Sequence, residues 1–264
     1  MAVKRPAVPA KRQEKNRQSK SGSKPTLPLA ARPKAGAQTF RPVLLVLAGV
    51  NGAGKSSIGG NVMLRRAGMT WFNPDTYTRL LMEQGGLALA QANALAWQHG
   101  LDLLDQALAA GHSHAFETTL GGATMTQRIA AAANTHDVLM WFCGLSSPEQ
   151  HIARVAKRVA AGGHAIPQGK IRERWVHAPL HLIDLMPHLN ELRVFDNSAE
   201  AETGQAVEDP RLVLHLLSGV VQFPVALADL QRTPAWAKPI VKAARDLARD
   251  QRGGVRSPIS PQLS

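Results

Sequence analysis

The sequence runs to 264 residues, 44% hydrophobic but only 5% aromatic, enough for one α/β domain with a core of Leu, Ala and Val, plus tails. A single cysteine, Cys143, excludes an internal disulfide, no apolar run approaches the roughly eighteen residues of a membrane-spanning helix, and no secretory signal opens the chain, so a cytoplasmic location is expected. The net charge of +12 suggests a nucleic-acid binder until it is divided: residues 1–41 hold eleven Lys/Arg against one acid and residues 232–264 seven against two, but residues 42–231 hold thirteen against sixteen.

Residues 1–41, rich in Lys, Arg, Pro, Ala, Ser and Gln, read as a disordered basic tail. It is either a solubilising segment or an arm drawn to nucleic acid or an anionic surface. Val43 to Ala48 is a continuous apolar run, the pattern of a parallel strand buried on both faces. Gly49-Val50-Asn51-Gly52-Ala53-Gly54-Lys55-Ser56 follows, with Ser57 behind it, a full G-x-x-x-x-G-K-[ST] match. Glycines let successive backbone N–H groups turn inward as an anion nest, and a helix expected over Lys55 to Arg66 aims its positive end at the same point. In such a loop Lys55 reaches the β- and γ-phosphates of ATP or GTP, and the Ser56 hydroxyl ligates Mg²⁺.

Further along, Met69 to Phe72 is expected as a second strand, running into Asn73-Pro74-Asp75. Leu87 to Ala110 is expected as a long helix whose stripe of Ala94, Trp97, Leu101, Leu104 and Leu108 packs into the core. A third strand, Ser113 to Thr118, ends in Glu117-Thr118-Thr119. Then come a helix over Thr124 to Asn134, a fourth strand over Val138 to Cys143, and a helix over Pro148 to Ala161 capped by Ser147. A Gly162-Gly163 loop leads to a helix interrupted at Pro179 and Pro187, a fifth strand over Leu192 to Asp196, and a hairpin formed by Leu212 to Leu216 and Val220 to Phe223. Alternating strands and helices predict an α/β fold: a P-loop parallel sheet with helices on both faces, a helical lid and a small C-terminal hairpin. The domain is expected over 42–240, with 241–264 a basic C-terminal tail.

A phosphate loop does not by itself separate kinases from other P-loop proteins. There is no N-K-x-D, no strand ending in D-x-x-G, and no strand ending in an Asp-Glu pair, so a small kinase fits best. Ligands of open α/β sheets lie beyond the carboxyl ends of the strands. There Asp75 is either the base for an acceptor hydroxyl or a helix N-cap. Glu117, with Thr118 and Thr119, either orients the acceptor or the metal's water shell or is a solvated strand end. Arg154, Lys157, Arg158, Lys170, Arg172 and Arg174 form either a lid that closes on polyphosphate or a solvated basic face. His177 and His181, four apart with Pro179 between them, lack a third ligand for a metal. His164 in the lid loop either touches phosphate or, as loop histidines usually do, faces water, and Cys143 is expected to be buried and inert.

Five stretches in order resemble the zeta-toxin family of P-loop kinases, in particular its predicted-ATPase branch. They are Leu47 to Ser57, Phe72 to Asp75, Phe116 to Leu120, Arg154 to Trp175, and Phe195 to Ser198. The resemblance implies 3′-phosphorylation of a UDP-N-acetylamino sugar, typically UDP-N-acetylglucosamine, with ATP or GTP and Mg²⁺, and an antitoxin protein as a potential partner. Carried over by position, Lys55 and Ser56 serve nucleotide and metal, Asp75 is the base, and Glu117 and Thr119 hold the substrate. Arg158 and one of Arg172 and Arg174 supply lid charge, Arg154 lies on the substrate side, and Asn197 lies beside the adenine. Family toxins often carry Arg where this chain has Gly121, which bears on sugar-nucleotide specificity. The alternatives from other classes are a nucleic-acid-associated protein such as a polynucleotide kinase, motivated by the basic arms, and a nucleotide-binding regulator without turnover.

Overall fold

A computed structural model describes residues 40–58, 71–200 and 209–253. Residues 1–39 of the expected tail, most of the helix expected after Lys55, the start of the second strand and the last eleven residues lie outside the described residues.

Seven strands form one sheet in the order β2-β3-β1-β4-β5-β6-β7. The first five are β1 (Val43–Ala48), β2 (Trp71–Phe72), β3 (His114–Thr118), β4 (Asp137–Gly144) and β5 (Glu191–Asp196), and they pair in parallel. The hairpin strands β6 (Arg211–Leu217) and β7 (Val220–Phe223) extend the sheet antiparallel. Central β1 has neighbours on both edges; Leu44, Val46, Leu47 and Ala48 are buried, while Val43 and Leu45 at its start are half-buried. Ala48 stands beside Thr118 of β3 and Phe142 of β4. The chain segments that leave these three strands therefore emerge together at one edge of the sheet.

The helices are α1 (Pro74–Gly85), α2 (Leu89–Ala110), α3 (Ala123–Ala132), α4 (Pro148–Ala160), α5 (Gln168–Leu185), α6 (Leu227–Gln231) and α7 (Lys238–Gly253). Local chemistry sets their starts. Asn73 caps α1 by accepting the N–H of Thr76 at 3.1 Å, and Pro74 occupies the first turn. Asp75 is therefore relieved of capping, which removes the structural alternative for that carboxylate. Ser147 caps α4 through the N–H of Gln150.

Two expectations are corrected. Helix α5 runs through Pro179 without a break, although the proline forfeits one backbone hydrogen bond. Ile171 and Ala178 on one side of the ring and Leu182 and Leu185 on the other are buried in the same core, so both halves are held in line. The segment beyond 240, expected as a basic tail, continues α7 as far as Gly253. Ile240, Val241, Ala244 and Ala248 recur at helical spacing and are buried, so the Lys and Arg residues between them belong to the outer face of a docked helix. Just before it, the Trp236 indole lies where a side chain at Gly144 would stand and donates from Nε1 to Asp196 Oδ1 at 3.1 Å. The C-terminal segment thereby braces the ends of β4 and β5. Among the described residues no helix is long and apolar enough to cross a membrane.

Candidate active site

The loop after β1 keeps its shape because nothing larger than hydrogen fits at two of its turns. Gly49 has φ +144° and a Cβ there would run into the Cys143 carbonyl; Gly52 has φ +82° and a Cβ would meet the His151 carbonyl oxygen at 2.7 Å. Fixed donors hold the loop from below. The Ala53 carbonyl accepts from Asn197 Nδ2 at 2.9 Å and from the Cys143 thiol at 3.0 Å, and the Asn51 carbonyl accepts from His151 Nδ1 at 2.9 Å. The Gly49 N–H donates to Thr118 O at 3.1 Å, tying the loop to the end of β3. Burial pushes the Cys143 thiol up to about 12, so it acts as a donor and not as a nucleophile. Lys55 opens a 3₁₀ turn and bends its ammonium back over the loop, donating to Gly49 O at 2.9 Å. The side chains of Ser56 and Ser57 lie outside what is described.

A cleft of about 710 Å³ opens beside this loop. Asn51 and Lys55 line one wall, Asn73 and Asp75 the next, Glu117, Thr118 and Thr119 the floor, and Lys170 and Arg174 of α5 the far side. Burial raises the Glu117 carboxyl above the ordinary range; Asp75 adds to the rise, while Lys55 and a hydrogen bond from Asn73 oppose it. Beyond Thr118 the chain turns through Leu120, fully buried at φ +52°, with its N–H on Thr118 Oγ1 and its carbonyl 2.8 Å from His181 Nδ1. His181 thus props the floor of the cleft. Its ring lies 6.3 Å from that of His177, and among the described residues no cluster of metal-binding side chains occurs.

The arginines separate into distinct duties. Arg174 reaches the phosphate loop, its Nη1 donating to Asn51 Oδ1 at 2.6 Å. Arg158 Nη1 faces Asp75 Oδ2 at 3.7 Å. Arg172 instead pairs with Glu149 at 2.5 Å on the surface, so of the two candidates on α5 only Arg174 belongs to the cleft. Arg154 points the other way and donates to the carbonyls of Asn197 at 2.8 Å and Ala199 at 3.1 Å. It therefore braces the segment after β5 and does not line the substrate side. Asn197, expected beside the adenine, is buried beneath the loop with its amide committed to Ala53.

Gly121, the departure from the family pattern, has a physical counterpart. A Cβ at this position would meet Arg174 Cγ at 2.7 Å, so the missing side chain is the space through which Arg174 crosses to Asn51. Gly121→Ala is expected to displace that arginine and lower the phosphate-transfer rate about tenfold or more, with nucleotide affinity nearly unchanged. Steady-state kinetics beside calorimetry would separate the two quantities.

Trp97 and His164 were misread in the sequence, and Asn93 was not singled out. Trp97 was assigned to the core stripe of α2; Leu101 and Leu104 are indeed buried, but Trp97 is 47% exposed and lines the cleft. Asn93, one helical turn earlier, also lines the cleft and is joined to Thr78 of α1 by a 3.1 Å hydrogen bond. His164, expected to touch phosphate or to face water, has its Nε2 buried 3.7 Å from Asp75 Oδ1. A polar residue on an apolar helical stripe was the available signal for Asn93; nothing local marked the other two.

A phosphate loop after the central strand of a parallel sheet, facing strand-end carboxylates across one cleft that Arg174 also lines, defines a P-loop fold with a site built around that loop. Residues 44–173 match the family model described as an AAA domain. That match agrees with the resemblance to zeta-toxin-like P-loop kinases. Among solved structures the chain is similar to the complex of AvrRxo1-ORF1 and AvrRxo1-ORF2 with sulphate ions, at 17% identity and a TM-score of 0.51, over 80% of this chain and 76% of that one. The same complex with ATP matches at 17% identity and a TM-score of 0.51, over 80% and 77%. A structure from the PezAT toxin–antitoxin system of Streptococcus pneumoniae aligns over 81% and 90%, at 11% identity and a TM-score of 0.45. Comparison with curated protein sequences finds no match.

Proposed function

We propose that this protein is an ATP-dependent kinase that transfers the γ-phosphoryl group to a hydroxyl of a small metabolite, a UDP-N-acetylamino sugar. One observation carries the reading. Asp75, released from helix capping by Asn73, shares a single cleft with Lys55, Arg174 and the phosphate loop. In this reading Asp75 accepts the proton of the acceptor hydroxyl, Glu117 and Thr119 orient the acceptor, Lys55 and Arg174 meet the charge on the transferring group, and Arg158 flanks Asp75 from outside the cleft.

The donor set suits Mg²⁺ held mainly by phosphate oxygens and water. Oxygen donors come from Ser56 by its place in the motif and from the Glu117 and Asp75 carboxylates, and the described residues build no all-protein cage. When bound, the ion neutralises charge between the β- and γ-phosphates. The fold neighbour solved with ATP supports nucleotide binding by this chain. The same neighbour is a complex with its ORF2 chain, which supports a protein partner for this chain as well.

The test is product analysis after mixing the protein, Mg-ATP and a panel of sugar nucleotides. Wild type is expected to label an acceptor, and Asp75→Asn to lower the rate about 10²- to 10⁴-fold while ATP still binds. ATP hydrolysis with no acceptor labelled would overturn the reading.

A further inference from the structure

We infer that His164 is a positioning residue for Asp75, through which docking of the lid loop sets the orientation of the proton-accepting carboxylate. The inference rests on the kinase reading only where it names Asp75 as the base; the contact itself stands on geometry.

His164 belongs to the loop 161–167 between α4 and α5, where an imidazole ordinarily points to solvent. Its side chain is only 14% exposed, and Nε2 is buried without a hydrogen-bond partner, 3.7 Å from Asp75 Oδ1. Arg158, from the last turn of α4, treats the other oxygen in the same way. Its Nη1 lies 3.7 Å from Oδ2, and its Nη2 is also buried without a partner. Each carboxylate oxygen therefore faces one nitrogen of the lid, just beyond hydrogen-bonding distance, and a closure of roughly half an ångström or more would complete both bonds. A buried donor left unpaired is costly, so closure of His164 Nε2 onto Asp75 Oδ1 is downhill.

Neither His164 nor Arg158 lines the cleft, whereas Asp75 does. They stand behind the carboxylate, which marks His164 as acting through Asp75 and not on a ligand. The loop is built to deliver it there. Gly162 takes φ +92°, and a Cβ on Gly163 would press on Arg158 Cγ at 2.9 Å and Arg158 O at 3.0 Å. The glycine pair thus lets the chain double back over the end of α4, and the next residue is His164. Beyond it, Ile166 packs against the core and Pro167 opens α5. A docked lid supplies Asp75 with a fixed partner on each oxygen. A lifted lid leaves the carboxylate free to rotate, and loss of alignment at a reacting group costs rate without weakening binding.

A double-mutant cycle on the full chain tests this, read first by hydrogen exchange of the amides of 161–167 without nucleotide. His164→Ala and Asp75→Ala are each expected to speed exchange about three- to tenfold, and the double variant to be no faster than His164→Ala alone. In the transfer assay His164→Ala is expected to lower kcat about 10- to 100-fold with both KM values within about twofold, and His164→Gln, which keeps a donor, to recover most of the loss. On the Asp75→Ala background His164→Ala should cost nothing further. Unchanged exchange in His164→Ala, or the same acceleration on both backgrounds, would overturn the inference. If wild type labels no acceptor, the kinase reading fails, while the exchange cycle still decides whether His164 holds Asp75.

Discussion

Arg174→Ala is expected to cut phosphoryl transfer by about 10³-fold or more, with ATP affinity changed only a few-fold. The side chain enters from α5, passes over Gly121 and ends on Asn51 Oδ1, so its charge sits at the mouth of the phosphate loop and not beside the acceptor end of the cleft. Burial lowers its pKa, opposed by the Asp75 and Glu173 carboxylates, but a guanidinium remains charged at any pH the enzyme meets. A partly buried cation is worth more to a transition state than one in water, because less solvent screens it. Two controls separate charge from scaffolding. Asn51→Ala removes the anchor and keeps the charge, and about a tenfold loss is expected from it, in line with one hydrogen bond to a charged group. Arg174→Lys keeps the charge and loses the fork, and it should recover only part of the rate. A loss no larger for Arg174→Ala than for Asn51→Ala would assign the arginine to loop structure alone.

What the sequence revealed and what it hid divides along a physical line. The phosphate loop was legible because its chemistry is local: the same few residues supply the glycine turns, the ammonium and the strand before them. The parallel sheet was legible for a similar reason, since strands buried on both faces are apolar throughout, but its strand order was not read from the sequence. Asp75 and Glu117 were legible as strand-end residues, because ligands of such sheets gather at that edge. Misreadings arose wherever a role depends on what faces a residue across the fold. Arg154 and Arg158 share one side of α4, yet one braces the segment after β5 and the other turns to Asp75. Arg172 and Arg174 are two apart, and only one points inward. Asn197 sits in a motif that resembles a nucleotide contact but spends its amide on the loop carbonyl. The basic run after 240 concealed a helix because its four buried positions are small or separated by charge, so composition outweighed periodicity.

His151 was also hidden, and it yields the largest stability effect expected here. It lies on α4, 1% exposed, beneath the phosphate loop, donating from Nδ1 to the Asn51 carbonyl. Nε2 is buried with no partner, so the neutral ring fits and a second N–H would find no acceptor. Burial pushes its pKa down to about 4, and the Lys55 and Arg154 cations push the same way against the Asn51 carbonyl. Between the ordinary value of 6.5 and about 4 the unfolded chain takes up a proton that the folded chain refuses. Folding stability is therefore intact above the upper value and falls as pH drops through this window, by on the order of 3 kcal/mol. Buried His114, whose pKa burial also lowers, adds a loss of the same sign, so the absolute slope alone does not identify His151. The comparison with His151→Gln does. At neutral pH the variant should be the less stable, through lost packing and a weakened bond to Asn51, and it should bind ATP less tightly because the loop it supports is looser. On acidification its denaturant midpoint should fall much less than that of wild type, and the two curves should converge or cross. Parallel curves across the window would show that His151 is not the group that resists the proton.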